Sequence, residues 1–183
     1  MSTPRTTRWR DHRSRWTGCD LCPAICAGRK VFGRGSLHPD ILFLGIGPGE
    51  GEDTLGVPFV GPAGKILTGA IEFAEKKTGW HPTKFWSNLV LCRPTEGHSN
   101  RDPSEDEIEN CRGRLRELLE ITKPKAVIRL GRLVASHAPV ELLRVQAIDL
   151  WHPAAILRDR SRTSGYQDSM ARAFGTLRGR IED

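Results

Sequence analysis

The sequence predicts an α/β fold, with three layers (α/β/α) and a central, mostly parallel sheet of four strands. Three observations predict it. Apolar runs of strand length recur at residues 41–45, 85–91, 126–130 and 145–150. Segments with apolar residues at helical spacing separate them, as parallel strands require. Polar or glycine-rich stretches follow three of these runs, and ligands in such sheets bind beyond the carboxyl ends of the strands.

The 183 residues suit one domain, residues 17–183, behind a basic arm, residues 1–16. In that arm Arg5, Arg8, Arg10, Arg13 and Arg15 stand with Trp9 and Trp16 in no clear period, which reads as a flexible, solvated segment. A sharper reading lays it along DNA phosphate. The formal charge of +6 favours a polyanionic partner, and arginine outnumbers lysine, which suits phosphate. No apolar run approaches the roughly 20 residues of a membrane span. The polar, arginine-rich start has no signal-peptide core, so a cytoplasmic location and no membrane partner are expected.

Cys19 and Cys22 form a C-x2-C pair, with Cys26 beyond it. Alone the pair is compatible with zinc, iron–sulfur or redox chemistry. Cys92 and Cys111 are isolated in sequence, so this is no zinc ribbon. The first strand then breaks into a loop carrying Gly45, Ile46, Gly47, Pro48, Gly49, Gly51, Glu52 and Asp53, followed by Pro58-Phe59-Val60-Gly61. An aromatic face, backbone amides and nearby carboxylates suit a flat, uncharged ring. A dinucleotide fingerprint fails because no helix opens directly from the loop, and a phosphate-binding loop fails because Gly64-Lys65 is followed by Ile66.

Residues 62–77 read as a helix. The second strand delivers Asn88. Asp102-Pro103-Ser104-Glu105 opens another helix, whose inner face carries Ile108, Cys111, Leu115 and Leu118. After the third strand, residues 131–136 form a short helix. The fourth strand delivers Trp151-His152-Pro153, and residues 172–181 close the chain as a basic helix.

These motifs, in this order, resemble the family-four uracil-DNA glycosylases, the iron–sulfur branch of that superfamily. The likeness rests on Cys19-x2-Cys22, Phe32-Gly33-x-Gly35, the loop from Gly45 to Asp53, and Gly56-x-Pro58-Phe59-Val60-Gly61-x-Ala63-Gly64. It continues through Asn88-x3-Cys92-Arg93-Pro94, Asn100-Arg101-x-Pro103, Cys111 and His152-Pro153 with Ile156-Leu157-Arg158. The resemblance implies a [4Fe–4S] cluster held by Cys19, Cys22, Cys92 and Cys111, with Cys26 as a spare thiol. It implies a monomer that flips uracil from DNA. Phe59 would stack on the base, Asn88 would read its edge, and His152 would donate to O2 as charge develops there. Gly45, Ile46 and Gly47 would line the pocket. Glu52, with Asp53 beside it, would position water or steady the sugar. Asn100 and Arg101 would touch DNA, and Ile156, Leu157 and Arg158 would wedge into the minor groove.

Two departures stand out: Ile46 occupies the position where the family usually has glutamate, and Gly47 stands where better-known uracil glycosylases have the aspartate that activates water. A smaller one is Ala154, where serine commonly follows His-Pro. They leave a second possibility open, an iron–sulfur DNA-binding module with lost activity, and a third, an enzyme for a modified base.

Overall fold

The structure, a computed structural model, describes residues 3–23, 25, 28–139, 142 and 145–182. Its centre is a sheet of five strands: β1 (Arg34–Gly35), β2 (Ile41–Gly45), β3 (Lys84–Asn88), β6 (Ala126–Leu130) and β7 (Gln146–Leu150). They lie in the order β1-β3-β2-β6-β7, and only β1 runs antiparallel. The four expected strands are present and parallel. The fifth, β1, was too short to carry a period; it pairs Arg34 with Trp86 and Gly35 with Phe85 at the edge. A small hairpin, β4 (Thr95–Glu96) and β5 (Ser99–Asn100), stands apart from the sheet.

Side chains alternate across β2. Ile41 and Phe43 face one apolar layer with helices α3 (Pro62–Thr78) and α7 (Thr163–Glu182). Leu42 and Leu44 face the other, which holds α4 (Glu105–Thr122). This is the expected three-layer arrangement. Helix α4 begins as its sequence indicates: Ser104 accepts from the Glu107 amide at 3.2 Å, and Glu107 accepts from the Ser104 amide at 2.8 Å.

The second strand stops at Asn88, three residues short of the apolar run that suggested it. Leu89, Val90 and Leu91 continue as buried loop, and the amides of Leu89 and Val90 donate to Gly45 and Ile46. Burial alone made that stretch look like strand.

Where an arm was expected, residues 5–17 form helix α1 (Arg5–Thr17), packed on α4. Trp9, His12 and Trp16 lie on one face at helical spacing, a stripe that the interspersed arginines obscured. His12 is buried and stacks on Trp9 at 5.4 Å between ring centroids. Trp16 donates to Glu117 at 2.7 Å, Arg15 pairs with the same carboxylate at 2.8 Å, and Arg5 donates to the Thr122 carbonyl at 3.2 Å. Several of the arginines expected to meet phosphate thus fasten α1 to the domain.

Candidate active site

The carboxyl ends of β2, β3, β6 and β7 open into one cleft of about 1700 Å³. A small-molecule pocket measures roughly 300–1,000 Å³, so this one admits a base together with part of its strand. Four helices begin at its wall: α2 (Glu50–Leu55) after Gly49, α3 after Gly61, α5 (Arg132–His137) after Gly131 and α6 (Pro153–Arg158) after His152. Their positive ends face the cleft, beside Arg132, Arg158 and Arg162. Helix α2 opens directly from the glycine loop, where the sequence suggested none; it is a six-residue turn too short to show a period.

Gly45 sits where Phe59 and Asn88 converge. A Cβ on Gly45 would come within 2.4 Å of Asn88 Oδ1 and 2.7 Å of Phe59 Cζ, so only glycine leaves both side chains in place. Phe59 holds a left-handed backbone, φ +58°, unusual for an aromatic residue. Its carbonyl lies against Gly64, where a Cβ would meet it at 2.2 Å. The strained turn aims the ring across the base of the cleft.

His152 follows β7 and caps α6. Its Nδ1 accepts the Ala154 amide at 3.2 Å, which places the ring proton on Nε2. Burial pushes its pKa down to about 4; Asp102 and Glu52 favour the charged form and Arg158 opposes it. A Cβ on Gly131, at φ +99°, would lie 3.2 Å from His152 Cβ and 3.8 Å from Ile46 Cδ1, so both side chains border this glycine.

The acids separate. Glu52 faces the cleft but is engaged: it accepts from the amides of Gly49 at 3.1 Å, Val60 at 3.1 Å and Gly61 at 2.8 Å. It fastens the glycine loop to the turn carrying Phe59. Asp53 points elsewhere, accepting from the Arg29 amide at 2.9 Å, and does not line the cleft. Asp102, which the sequence suggested only as part of a helix start, does line it. Its carboxylate accepts no hydrogen bond among the described residues, and it acts electrostatically on His152. The only sequence signal for it was its place beside Asn100-Arg101.

Three further residues expected at DNA are engaged within the protein. Arg101 lines the cleft but forks onto Glu107 at 2.7 and 2.6 Å, bracing the start of α4. Asn100 also lines the cleft and accepts from Arg93 at 2.6 Å. Ile156 is wholly buried in the layer beneath α6, which removes it from the wedge; Leu157 and Arg158 remain at the cleft. Trp151, missed by the motif reading, is exposed at the rim with Arg162 stacked over it at 4.7 Å.

Behind Asn88 lies a second polar centre. Cys22, Cys92 and Cys111 are buried in one cluster, and Cys19 is half-buried after α1. Asn110 ties the first pair to α4, donating to the Leu21 carbonyl at 3.0 Å and to Cys22 Sγ at 3.5 Å. Cys111 stands three residues before buried Arg114 on α4, and Cys111, Cys92 and Cys19 act electrostatically on its guanidinium. No carboxylate pairs with Arg114 among the described residues, and its Nε has no partner there. A buried guanidinium demands an anion, and thiolates around an iron–sulfur core would supply it. Among the described residues no group of three or more His, Cys, Asp or Glu is arranged to hold a single metal ion. Four cysteines match the ligand count of an iron–sulfur cluster, and the buried charge of Arg114 suits an anionic group beside them. Cys26 lies outside the described residues.

Comparison with known proteins points the same way. The sequence model described as the uracil DNA glycosylase superfamily matches residues 32–177. The type-4 uracil-DNA glycosylase of Pyrobaculum aerophilum is 33% identical over 181 residues, covering 86% of this chain and 88% of that relative. The one from Thermotoga maritima is 33% identical over 159 residues, 78% of this chain and 80% of its own. That from Saccharolobus solfataricus reaches 44% over 107 residues, 58% and 47% of the two chains.

Proposed function

The chain belongs to the uracil DNA glycosylase superfamily, and from that premise we propose that it excises uracil from DNA by hydrolysing the N-glycosidic bond, leaving an abasic site for base excision repair. The observation that carries this is the convergence of Phe59 and Asn88 on Gly45. A module that only bound DNA would have no use for a slot with a stacking face and an amide at its edge.

The residues divide the work. A uracil flipped into the cleft stacks on Phe59, and the Asn88 carboxamide matches its O4 and N3–H, as one acceptor facing one donor at each position. As the bond to the sugar breaks, negative charge collects on the uracil ring. The Nε2–H of neutral His152 donates to O2, and the positive ends of the surrounding helices favour the same charge. Water adds to the sugar from the acidic side of the cleft. Asp102 takes the water-positioning role expected of Glu52, because the oxygens of Glu52 already accept three amides. Leu157 and Arg158 fill the stack that the base has left.

Cys19, Cys22, Cys92 and Cys111 hold a [4Fe–4S] cluster in this reading. When bound, the cluster ties the segment after α1 to α4 and to the loop beyond Asn88, which is a structural service. In this reading the enzyme acts on DNA as a monomer. Among the described residues no helix is long and apolar enough to cross a membrane, which accords with a cytoplasmic repair role.

The test is cleavage of a labelled oligonucleotide carrying one uracil, followed by alkali, for wild type and His152→Ala. Strand breakage at uracil by wild type, lost in the variant, is expected. No breakage by wild type in either single- or double-stranded DNA would overturn the proposal.

A further inference from the structure

Arg114 connects the two polar centres. It is 1% exposed, among the most deeply buried side chains of the protein. One terminal nitrogen donates to the carbonyls of Asn88 at 2.7 Å and Leu89 at 2.8 Å, and the other to Ser87 Oγ at 3.2 Å. Cys111 precedes Arg114 by three residues on the same helix, and Cys111, Cys92 and Cys19 act electrostatically on the guanidinium.

These contacts fix the peptide that carries the base-reading side chain. On its far side the Leu89 amide donates to the Gly45 carbonyl at 2.9 Å. The Asn88–Leu89 peptide is therefore clamped between the floor of the slot and the guanidinium, and it cannot rotate without moving the carboxamide. Lysine could not substitute fully. Its single nitrogen cannot span a hydroxyl and two carbonyls, whereas the fork does so with its donors already in one plane.

We propose that Arg114 is a positioning residue for base recognition, tying the carbonyls of Asn88 and Leu89 to the Cys19, Cys22, Cys92 and Cys111 site, so that loss of the anion held there loosens the carboxamide that reads the base. The inference rests on the role given to Asn88 above. It makes the cysteine site part of base selection as well as of folding. With the anion gone, the guanidinium is a buried, uncompensated charge. It is then drawn toward water, and the carbonyls lose their donor.

The test measures binding, not turnover. Two fluorescent single-stranded oligonucleotides are used, one carrying a 2′-fluorinated deoxyuridine that resists cleavage and one carrying thymidine at the same place. The ratio of their affinities reads base recognition alone. Wild type, Arg114→Lys and Arg114→Met are compared as isolated and after chelator treatment, with helix content and iron content recorded for each. Arg114→Met should cut the uracil preference about tenfold, the equivalent of roughly one lost charge-assisted hydrogen bond, and leave thymidine binding unchanged. Arg114→Lys should fall between. Chelator should lower the preference of wild type by a similar factor and that of Arg114→Met no further, because both changes act through one link.

An unchanged preference in folded Arg114→Met, or chelator and substitution effects that multiply, would overturn the inference. If the methionine variant does not fold, the lysine variant decides, and a preference equal to that of wild type sinks the idea. Wild type without any preference for uracil would instead remove the role of Asn88, a failure visible before any variant is made.

Discussion

The backbone N–H of Ala154 donates to Nδ1 of His152 across 3.2 Å. The ring is thereby held as the tautomer with its proton on Nε2, pointing a neutral donor into the cleft. Burial keeps it neutral, with a pKa of about 4. Excision should therefore show no inflection near pH 6.5, the ordinary histidine value, and decline only as the pH approaches 4. The unfolded chain takes up this proton first. Stability is thus fully present above pH 6.5 and is lost as the pH falls toward 4. His152→Gln should flatten that part of the stability curve, and His152→Ala should lower kcat by about 10²–10³-fold. A rate inflection at pH 6.5 that disappears in His152→Gln would contradict this picture.

Glu52 behaves as a clamp. Glu52→Gln places an amide NH₂ among three backbone donors and should destabilise the fold by about 2 kcal/mol, with activity falling in parallel. Thermal unfolding checks this. An unchanged melting temperature with kcat abolished would mark Glu52 as the group that activates water.

Asp102→Asn is the complement. The side chain is exposed and makes no hydrogen bond among the described residues, so melting should not change. Pre-steady-state excision should slow by about 10–10²-fold, and the His152 pKa should move further down, because Asp102 favours the imidazolium. Imidazole resonances followed by NMR report the second effect. Wild-type rates in this variant would return the role to another acid.

Gly45→Ala tests the slot directly. The added methyl would press on Asn88 Oδ1 and the Phe59 ring. A displacement of about 1 Å at such a site costs on the order of 10²-fold in rate. kcat/KM should fall by about that factor while affinity for undamaged DNA persists. Equal losses in both would mean that the substitution had disturbed the sheet rather than the slot.

The sheet and the slot were legible in sequence because short-range signals carry them. Gly45, Phe59, Asn88 and His152 sit at strand ends or in a glycine-flanked turn, and motif order sufficed to bring them together. The acids were not legible. Glu52 and Asp53 are adjacent, yet α2 turns one toward the cleft and the other toward Arg29, a choice fixed by distant amides. Nothing in the motif revealed that Arg101 pairs with Glu107. Helix α1 was hidden by composition: its apolar stripe is three aromatic rings, and its stability comes from α4, more than a hundred residues away. Arg114 falls on the inner face of α4 between Cys111 and Leu118, a position the helical period marks, but a charged side chain reads as surface unless its buried partners are known.

The three amides gathered by Glu52 have a consequence for how damage is found. They join the glycine loop and the Phe59 turn into one rigid wall, so the slot exists before any base enters it. Opening must then occur in the DNA. The work of selection falls on the weakness of the pair being broken, and a uracil opposite guanine, or in an unpaired strand, presents itself to a finished mould more often than one well paired with adenine.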